Sequence, residues 1–356
     1  MKKIISFPHV GDYYYPFSKL LTLLTEQEVI IPPPITKKTL ELGTKYAPDT
    51  VCIPFKYNLG NFIESLNEGA NILFTAGGGC RYRYYAEVTE TILKDLGYQF
   101  TFYKLIKKEN LHWPEIYKIF KDINPKLTLF KFFHDFLYAI LFIFYMDQID
   151  KIIRKNIGFE TKKGSFEKAK KKMLHNFSNT NSIIKLTSLY KKYKRKFKRI
   201  KIDKPKNCLK VGIIGELYTS MEPYSNYELE KELAKEHIEI KRFTNLSYLM
   251  WQKRFIKKHM KRKVKKYCKY TLGADGLDNI YRALYLSKKN YDGIIHIKPF
   301  GCTPEITAIP IIQRVCEDYN MPIIFFSYDA ESGTEGINTR LEAFKDLITI
   351  RRNKNE

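Results

Sequence analysis

The chain has 356 residues, a length at which a single hydrophobic core usually gives way to two domains. Hydrophobic residues make up 44% of the sequence and aromatic residues 15%, which is enough for a buried core and excludes an intrinsically disordered protein. The formal net charge of +24 would indicate a nucleic-acid-binding protein if it were spread over the chain, but it is concentrated in two segments.

These two cationic segments lie far apart in the sequence. Residues 151–206 contain 20 Lys or Arg and three acidic residues, and residues 253–269 contain 10 Lys or Arg and no acidic residue. Together they carry +27, so the remainder of the chain carries −3. The parts outside the two segments are therefore close to neutral.

Residues 1–106 alternate short apolar runs with amphipathic stretches, which predicts a first α/β lobe. The predicted strands are KKIISF, EVIIPP, DTVCIP, NILFTA and YQFTFYKL, with helices between them. This order, with short connections, is typical of a doubly wound parallel sheet. Such sheets place their sites beyond the carboxyl ends of the strands.

Residues 107–206 lack this alternation and predict a helical, lysine-rich intervening segment. Its most apolar run, Phe136–Met146, has 11 residues, whereas a membrane-spanning helix needs about 20. We therefore expect a buried helix and no membrane span. The N-terminus lacks the apolar region of a signal peptide, so the sequence predicts a cytoplasmic protein.

Residues 207–356 predict a second α/β lobe with a basic insert near 253–269. Strands are predicted in KVGIIG, IEIKRF, YDGIIHIKP and MPIIFFSYD, again separated by helices. The expected architecture is therefore two doubly wound parallel-sheet lobes that face a cleft.

The stretch KKYKRKFKRI, in the lysine-rich intervening segment, predicts an amphipathic helix whose Tyr193 and Phe197 pack inward.

Three of the six cysteines follow predicted strands and stand beside glycine or proline: Cys52, Cys80 and Cys302. Cysteines in a reducing cytosol do not form a disulfide framework, so a shared metal or redox site is one interpretation. Three thiolates can ligate a [4Fe-4S] cluster and leave one iron open to a non-protein ligand. The alternative is that small apolar thiols fill tight spaces in the core. Structural zinc is the second choice, because it needs a fourth ligand and His296 has the setting of a packed core histidine.

The residues around these cysteines have both a functional and an ordinary interpretation. We expect Gly77, Gly78 and Gly79 to leave room for a bulky inorganic group, since the spacing of a phosphate-binding loop is absent. Arg81 would then raise the potential of a cluster, or be a plain surface residue. A stretch near the C-terminus places charged side chains around glycines: Asp329, Glu331, Glu335, Arg340 and Glu342. Its carboxylates are metal ligands or general bases, or simply suit a helix N-terminus. The other three cysteines lack a Gly or Pro setting, and Cys316 is expected in the core: Cys208, Cys268 and Cys316.

Three stretches together resemble the 2-hydroxyacyl-CoA dehydratase D-component superfamily (2-hydroxyglutaryl-CoA dehydratase D-component-like proteins), in particular its acyl-CoA dehydratase activase-related proteins. They are CIPFKYNLGNFIE, AGGGCRYRYYAE and HIKPFGCTPEITAIP, accompanied by TRLEAF. The resemblance covers both lobes and implies that Cys52, Cys80 and Cys302 bind a [4Fe-4S] cluster. It further implies an ATP-dependent activase with its own iron–sulfur cluster as electron donor, and a homologous subunit or a homodimer.

The expected function is ATP-driven, low-potential electron transfer in anaerobic metabolism. The resemblance implies either a lyase that dehydrates a 2-hydroxyacyl-CoA through a ketyl radical or a cluster-dependent reductase, although no coenzyme A motif is recognisable. The lysine-rich segments would steer the activase or a phosphate-bearing acyl-CoA. Two alternatives remain: a non-catalytic basic protein that binds nucleic acid or an acidic partner, and a structural zinc protein.

Overall fold

The structure, a computed structural model, describes residues 2–77, 80–107 and 110–355. The chain divides into two compact units, the first comprising residues up to Ile143 with Phe177–Leu186, and the second comprising Phe144–Asn176 with Thr187–Glu356. Within the described residues, each unit contains one four-stranded, all-parallel sheet. The predicted α/β class is therefore confirmed. The predicted boundaries at 106/107 and 206/207 stay a prediction.

The first unit contains six strands within the described residues, together with five complete α-helices and the first half of a sixth. Its elements are β1 (Ile4–Ser6), α1 (Tyr14–Thr25), β2 (Glu28–Val29), α2 (Lys37–Tyr46), α3 (Ile53–Asn67), β3 (Ile72–Thr75), α4 (Tyr85–Asp95), β4 (Thr101–Lys104), β5 (Ile106–Lys107), β6 (Asn110–Leu111), α5 (Trp113–Ile123) and the first half of α6 (Leu129–Asn156). The parallel sheet has the order β2-β1-β3-β4, and β5 pairs with β6 in an antiparallel hairpin.

Strand β3 is buried on both faces, as is usual for parallel strands. Ile72 and Phe74 pack in one apolar cluster with Phe120 of α5, whereas Leu73 packs in another with Phe62 of α3. Alternate residues of a strand point to opposite faces, so helices cover both faces of this sheet.

The predicted strand DTVCIP is wrong. Cys52 is the N-cap of α3, and its extended backbone gives way to helix at the next residue. Pro54 lies in the first turn of α3, where its missing N–H costs no hydrogen bond. A short apolar run beside proline does not distinguish a strand from the beginning of a helix.

Helices α2 and α3 approach each other at two glycines. A Cβ atom at Gly43 would lie 1.7 Å from the carbonyl oxygen of Lys56, and one at Gly60 would lie 1.9 Å from the carbonyl oxygen of Thr39. Both obstacles are backbone atoms, so neither can be relieved by a side-chain rotation. The contact therefore requires glycine at both positions.

Gly43→Ala and Gly60→Ala are each expected to lower the free energy of unfolding by about 3 kcal/mol, because the two helices must separate. Urea denaturation followed by circular dichroism measures the loss. Gly336→Ala is the matched control, since nothing lies within 4 Å of a Cβ at that position. A loss in the Gly43 and Gly60 variants no larger than in the control would contradict the close approach of α2 and α3.

The second unit contains the rest of α6, most of the two lysine-rich helices and the second sheet. Its elements are α7 (Ser165–Ser178), α8 (Ile183–Lys198), β7 (Lys210–Gly215), α9 (Leu217–Met221), α10 (Leu229–Lys235), β8 (Glu239–Arg242), α11 (Lys253–Lys263), α12 (Gly276–Ser287), β9 (Gly293–Pro299), α13 (Thr303–Asp318), β10 (Ile323–Tyr328) and α14 (Thr334–Asn355). Its sheet has the order β10-β9-β7-β8. Tyr193 and Phe197 of α8 are buried, as the lysine pattern predicted.

The apolar run Phe136–Met146 lies inside α6, but only part of it is buried. Tyr138 and Phe142 have no exposed surface, whereas Leu137 and Phe144 are 47% and 37% exposed. Helix α6 is long and apolar enough to cross a membrane, and 39% of its most apolar window is buried. Core helices of soluble proteins meet the same criterion, so this finding is consistent with the absence of a membrane span.

Candidate functional site

The three predicted ligands all lie at the N-terminal ends of helical segments. Cys52 and Cys302 are the N-caps of α3 and α13, each followed by a proline in the first turn, and Cys80 precedes the helical turn that leads into α4. All three side chains are partly exposed. Backbone N–H groups in the first turn of a helix favour an anionic group such as a thiolate.

In the first unit the structure brings the stretches of Cys52 and Cys80 together. Arg81, which follows Cys80, donates from Nη1 to the carbonyl oxygen of Thr50 at 3.4 Å. The hydroxyl of Tyr85, at the beginning of α4, lies 3.4 Å from Sγ of Cys52. The same hydroxyl accepts a hydrogen bond from the backbone N–H of Cys52 at 3.4 Å. Two loops separated in sequence thus meet beyond the carboxyl end of β3, although Cys52 reaches this edge as the N-cap of a helix and not at the end of the predicted strand.

Tyr85 is a site residue that the sequence did not reveal. Its ring packs edge-on against Phe55 at 4.7 Å, and the side chain is buried. Burial, and then the neighbouring Cys52, raises the pKa of Tyr85 above its ordinary value, so the hydroxyl keeps its proton. A protonated hydroxyl can donate to Sγ of Cys52, and such hydrogen bonds to sulfur tune the potential of a cluster.

In the second unit a lysine accompanies Cys302. Lys298, near the end of β9, is buried and donates from Nζ to Oγ of Ser327 at 2.9 Å and to the carbonyl oxygen of Phe300 at 3.2 Å. Desolvation lowers the pKa of Lys298 below its usual value, although the nearby Cys302 and Glu305 act in the opposite direction. The end of β9 therefore places a buried lysine four residues before the third predicted ligand.

A buried polar network supports the loop that carries Cys302. Glu305, in the first turn of α13, is fully buried and accepts from Nδ2 of Asn279 through both oxygens at 2.9 Å. It is also hydrogen-bonded to Nε2 of His296 at 2.7 Å. Asn279 in turn accepts from the backbone N–H of Gly215 at 3.2 Å. The network joins the carboxyl ends of β7 and β9 to two helices, and it confirms His296 as a packed core histidine.

Glu216 is a further titratable residue that the sequence did not reveal. It follows β7 directly, and its carboxylate caps α9 by accepting from the backbone N–H groups of Tyr218 and Thr219 at 3.0 and 2.9 Å. Desolvation, with a smaller contribution from Asp275, raises the pKa of Glu216 to about 7. The carboxylic acid of Glu216 therefore titrates close to neutral pH.

The raised pKa of Glu216 predicts that stability falls as the pH rises from about 4.5 to about 7. The carboxyl group of Glu216 binds its proton more tightly in the folded protein than in the unfolded chain. Its contribution to the free energy of unfolding is therefore complete below the pKa of the unfolded chain, and it is lost as the pH rises through the pKa of the folded protein. The loss is on the order of 3 kcal/mol at most. The free energy of unfolding of Glu216→Gln, measured by urea denaturation at pH 5 and pH 8, should depend less on pH than that of the native protein. Glu335→Gln, at an exposed carboxylate, is the control; equal pH dependence in both variants would refute the prediction.

The other predicted residues divide into structural contacts and positions that stay untested. Gly78 and Gly79 lie outside the described residues, while a Cβ at Gly77 would lie 2.9 Å from the carbonyl oxygen of Ile106. Asp329 accepts from the backbone N–H of Glu331 at 3.0 Å and thereby stabilises a turn. Arg340 donates to the carbonyl oxygen of Phe325 at 2.7 Å. Glu331, Glu335 and Glu342 are exposed.

The three remaining cysteines are buried, and Cys316 belongs to the core as predicted: Cys208, Cys268 and Cys316. Burial raises the pKa of the Cys316 thiol to about 12, which disfavours the thiolate that a metal ligand requires. Within residues 2–77, 80–107 and 110–355, no group of three or more His, Cys, Asp or Glu side chains is placed to hold a metal ion.

Comparison with known proteins does not assign the chain to a family. No model of a protein family matches the sequence, and no curated protein matches it. The fold and the described contacts define an α/β protein with two parallel sheets and cysteines at helix N-termini. Any narrower assignment depends on the chemistry of those cysteines.

Proposed function

We propose that this protein is an iron–sulfur protein and that Cys52, Cys80 and Cys302 ligate one [4Fe-4S] cluster. The observation that carries the proposal is the contact between the stretches of Cys52 and Cys80 beyond the carboxyl end of β3. The chemistry of the donors supports the proposal, since thiolates are the ligands of such clusters and the three thiols are partly exposed, each at the beginning of a helical segment.

The proposal includes a finer architecture, namely two doubly wound lobes that face a cleft. In each sheet the first strand in sequence has its second and third strands on either side, which supports a switch point between them. The helices on both faces of β3 support the same architecture.

The proposed role is ATP-driven, low-potential electron transfer in the cytoplasm, as part of anaerobic metabolism. The electron donor is an ATP-dependent activase with its own iron–sulfur cluster. The electron acceptor is an acyl-CoA, which is dehydrated or reduced. A homologous subunit or a second copy of this chain is the partner in the complex. The bound cluster would supply one-electron chemistry. The chain supplies the hydroxyl of Tyr85 beside Cys52, which would tune the reduction potential of the cluster by a hydrogen bond to sulfur. It also supplies the amino group of Lys298, which would offset negative charge on Cys302.

Electron paramagnetic resonance tests this role. Full-length protein, prepared and reconstituted without oxygen, is treated with a low-potential chemical reductant or with an activase and ATP. We expect a cluster signal under both treatments, and with the activase only when ATP is present. We also expect the signal to change when a 2-hydroxyacyl-CoA is added. A signal that no acyl-CoA alters would contradict the acyl-CoA role, and the absence of any cluster signal would contradict the function as a whole.

A structural zinc site is the weaker candidate. Zinc in structural sites takes four protein ligands, and the three cysteines would need a fourth. His296 is fully buried and its Nε2 is hydrogen-bonded to Glu305, whereas the three cysteines are partly exposed, so this histidine lies in a different environment from theirs.

A further inference from the structure

Helix α11, in the second unit, carries a strongly cationic surface. Residues 253–269 contain 10 Lys or Arg and no acidic residue. The first cation of α11, Lys253, pairs with Asp275 and Asp278 at 2.9 Å. The other six cations of this helix are exposed and form no ion pair within the part of the chain that the structure describes: Arg254, Lys257, Lys258, Lys261, Arg262 and Lys263. Their charge is therefore available to an anionic partner.

The opposite side of α11 is held by its own unit. Met260 is buried, and Val264, at the end of the helix, lies in an apolar cluster of the second unit. The hydroxyl of Tyr248 donates to Sδ of Met260 at 3.9 Å, and Nζ of Lys253 donates to the carbonyl oxygen of Ala274 at 2.8 Å. Because the apolar side of α11 packs inward, the six unpaired cations lie on its outer side.

Exposed aromatic side chains accompany these cations. Phe255, on α11, is 78% exposed, and Trp251, in the π-helical turn that leads into the helix, is 36% exposed. Phe255 lies three residues before Lys258 and seven before Arg262, so these three side chains share one face of the helix. One face of a single helix thus presents an aromatic ring beside cationic groups.

We propose that the six unpaired cations of α11, with Trp251 and Phe255, form a surface that binds single-stranded nucleic acid. The cations would contact phosphates and Phe255 would stack on an unpaired base, a combination typical of sequence-tolerant binding to single strands. The charge densities agree, because six cations lie within about 14 Å of helix, a distance over which a nucleic-acid strand carries about four phosphates. This binding goes beyond the proposed function and does not depend on the cluster.

Other anionic partners match the α11 surface less completely. A helix that lies on a bilayer turns its apolar side to the lipid, whereas Met260 and Val264 are buried in the protein. A nucleic-acid duplex or an acidic protein segment would satisfy the cations. A duplex, however, keeps its bases stacked on each other, and an acidic segment brings carboxylates without a base for Phe255. The exposed aromatic ring among the cations therefore favours a single strand.

Fluorescence anisotropy of a labelled oligothymidylate of about 20 nucleotides tests the proposal with the full chain. We expect this strand to bind more tightly than a DNA duplex of the same length, with an affinity that falls steeply as salt rises. The cation variant, with Gln at Lys257, Lys258, Lys261, Arg262 and Lys263, should bind about tenfold more weakly or worse and depend less on salt. Phe255→Ala should bind about tenfold more weakly with its salt dependence unchanged, because it removes stacking and no charge.

Matched control variants remove the same chemistry elsewhere. One carries Gln at five exposed cations of α8, which is the same change in net charge: Lys191, Lys192, Lys194, Arg195 and Lys196. The other is Phe130→Ala, at a phenylalanine that is 83% exposed. Phe130→Ala should bind the strand like the native chain, and the α8 variant should lose less than about threefold in affinity. Circular dichroism verifies that the variants fold.

Four results would overturn the proposal. They are the absence of binding to the single strand, equal or tighter binding to the duplex, native binding by Phe255→Ala, and an equal loss in the α8 variant. Binding to phosphatidylglycerol vesicles that Phe255→Ala loses, without binding to the strand, would make an anionic bilayer the better partner.

Discussion

Replacing Cys52, Cys80 or Cys302 by Ala is expected to remove most of the iron from anaerobically prepared protein. Each thiolate would be one of three protein ligands, and two ligands do not retain a four-iron cluster well. The three side chains are small and partly exposed, so the fold should survive each replacement. Iron and acid-labile sulfide per chain, with visible absorption, measure the loss.

Two cysteines serve as controls for this prediction. Cys208→Ala and Cys268→Ala remove buried thiols from the second unit, and both variants should keep their iron even if they lose some stability. Full iron content in all three variants of the proposed ligands would contradict the ligand assignment. Loss in only one or two variants would remove the unaffected cysteine from the ligand set.

Glu305→Ala is expected to lower the free energy of unfolding by about 3 to 5 kcal/mol, because it breaks a buried, hydrogen-bonded network. Glu305 has no exposed surface, and its loss leaves Nε2 of His296 and Nδ2 of Asn279 without their acceptor. Urea denaturation of iron-free protein measures the effect, so that loss of a cluster does not contribute.

Glu317→Ala is the matched control for this second prediction. It makes the same replacement on the same helix, at a side chain that is 67% exposed and lies 3.7 Å from the similarly exposed Arg314. The expected change is within about 0.5 kcal/mol. A loss below about 1 kcal/mol in the Glu305 variant would show that the network does not hold α13 against the sheet.

Most of the fold could be predicted from the sequence, because its strands are short apolar runs between amphipathic helices. One exception was β6 (Asn110–Leu111), which lies in the segment predicted to be helical, and the run around Cys52 was another. Val51 and Ile53 favour a strand by composition, but Pro54 suits the first turn of a helix equally well, and the prediction did not weigh that alternative.

The candidate site could be predicted only where local sequence marks it. Glycine and proline beside Cys52, Cys80 and Cys302 are visible in the sequence. Tyr85 contacts Cys52 across 33 residues, and Lys298 contacts Ser327 across 29. Such pairs are created by the packing of separate elements, so the sequence alone did not reveal them.

The exposed face of α6 was missed for a different reason. Phe132, Tyr138 and Phe142 on its buried face are as apolar as Phe133 and Leu137 on its exposed face. Hydrophobic periodicity distinguishes a buried face from an exposed one only when the exposed face is polar. The structure was therefore needed to find an apolar surface that the composition had assigned to the core.

Iron and sulfide analysis of the anaerobically isolated full chain, joined to its Mössbauer spectrum, tests the central claim most directly. The account predicts about four iron and four sulfide per chain, with one iron distinct from the other three because only three cysteines bind the cluster. A chain that takes up no iron after reconstitution with iron and sulfide, or that holds one zinc in its place, would contradict it.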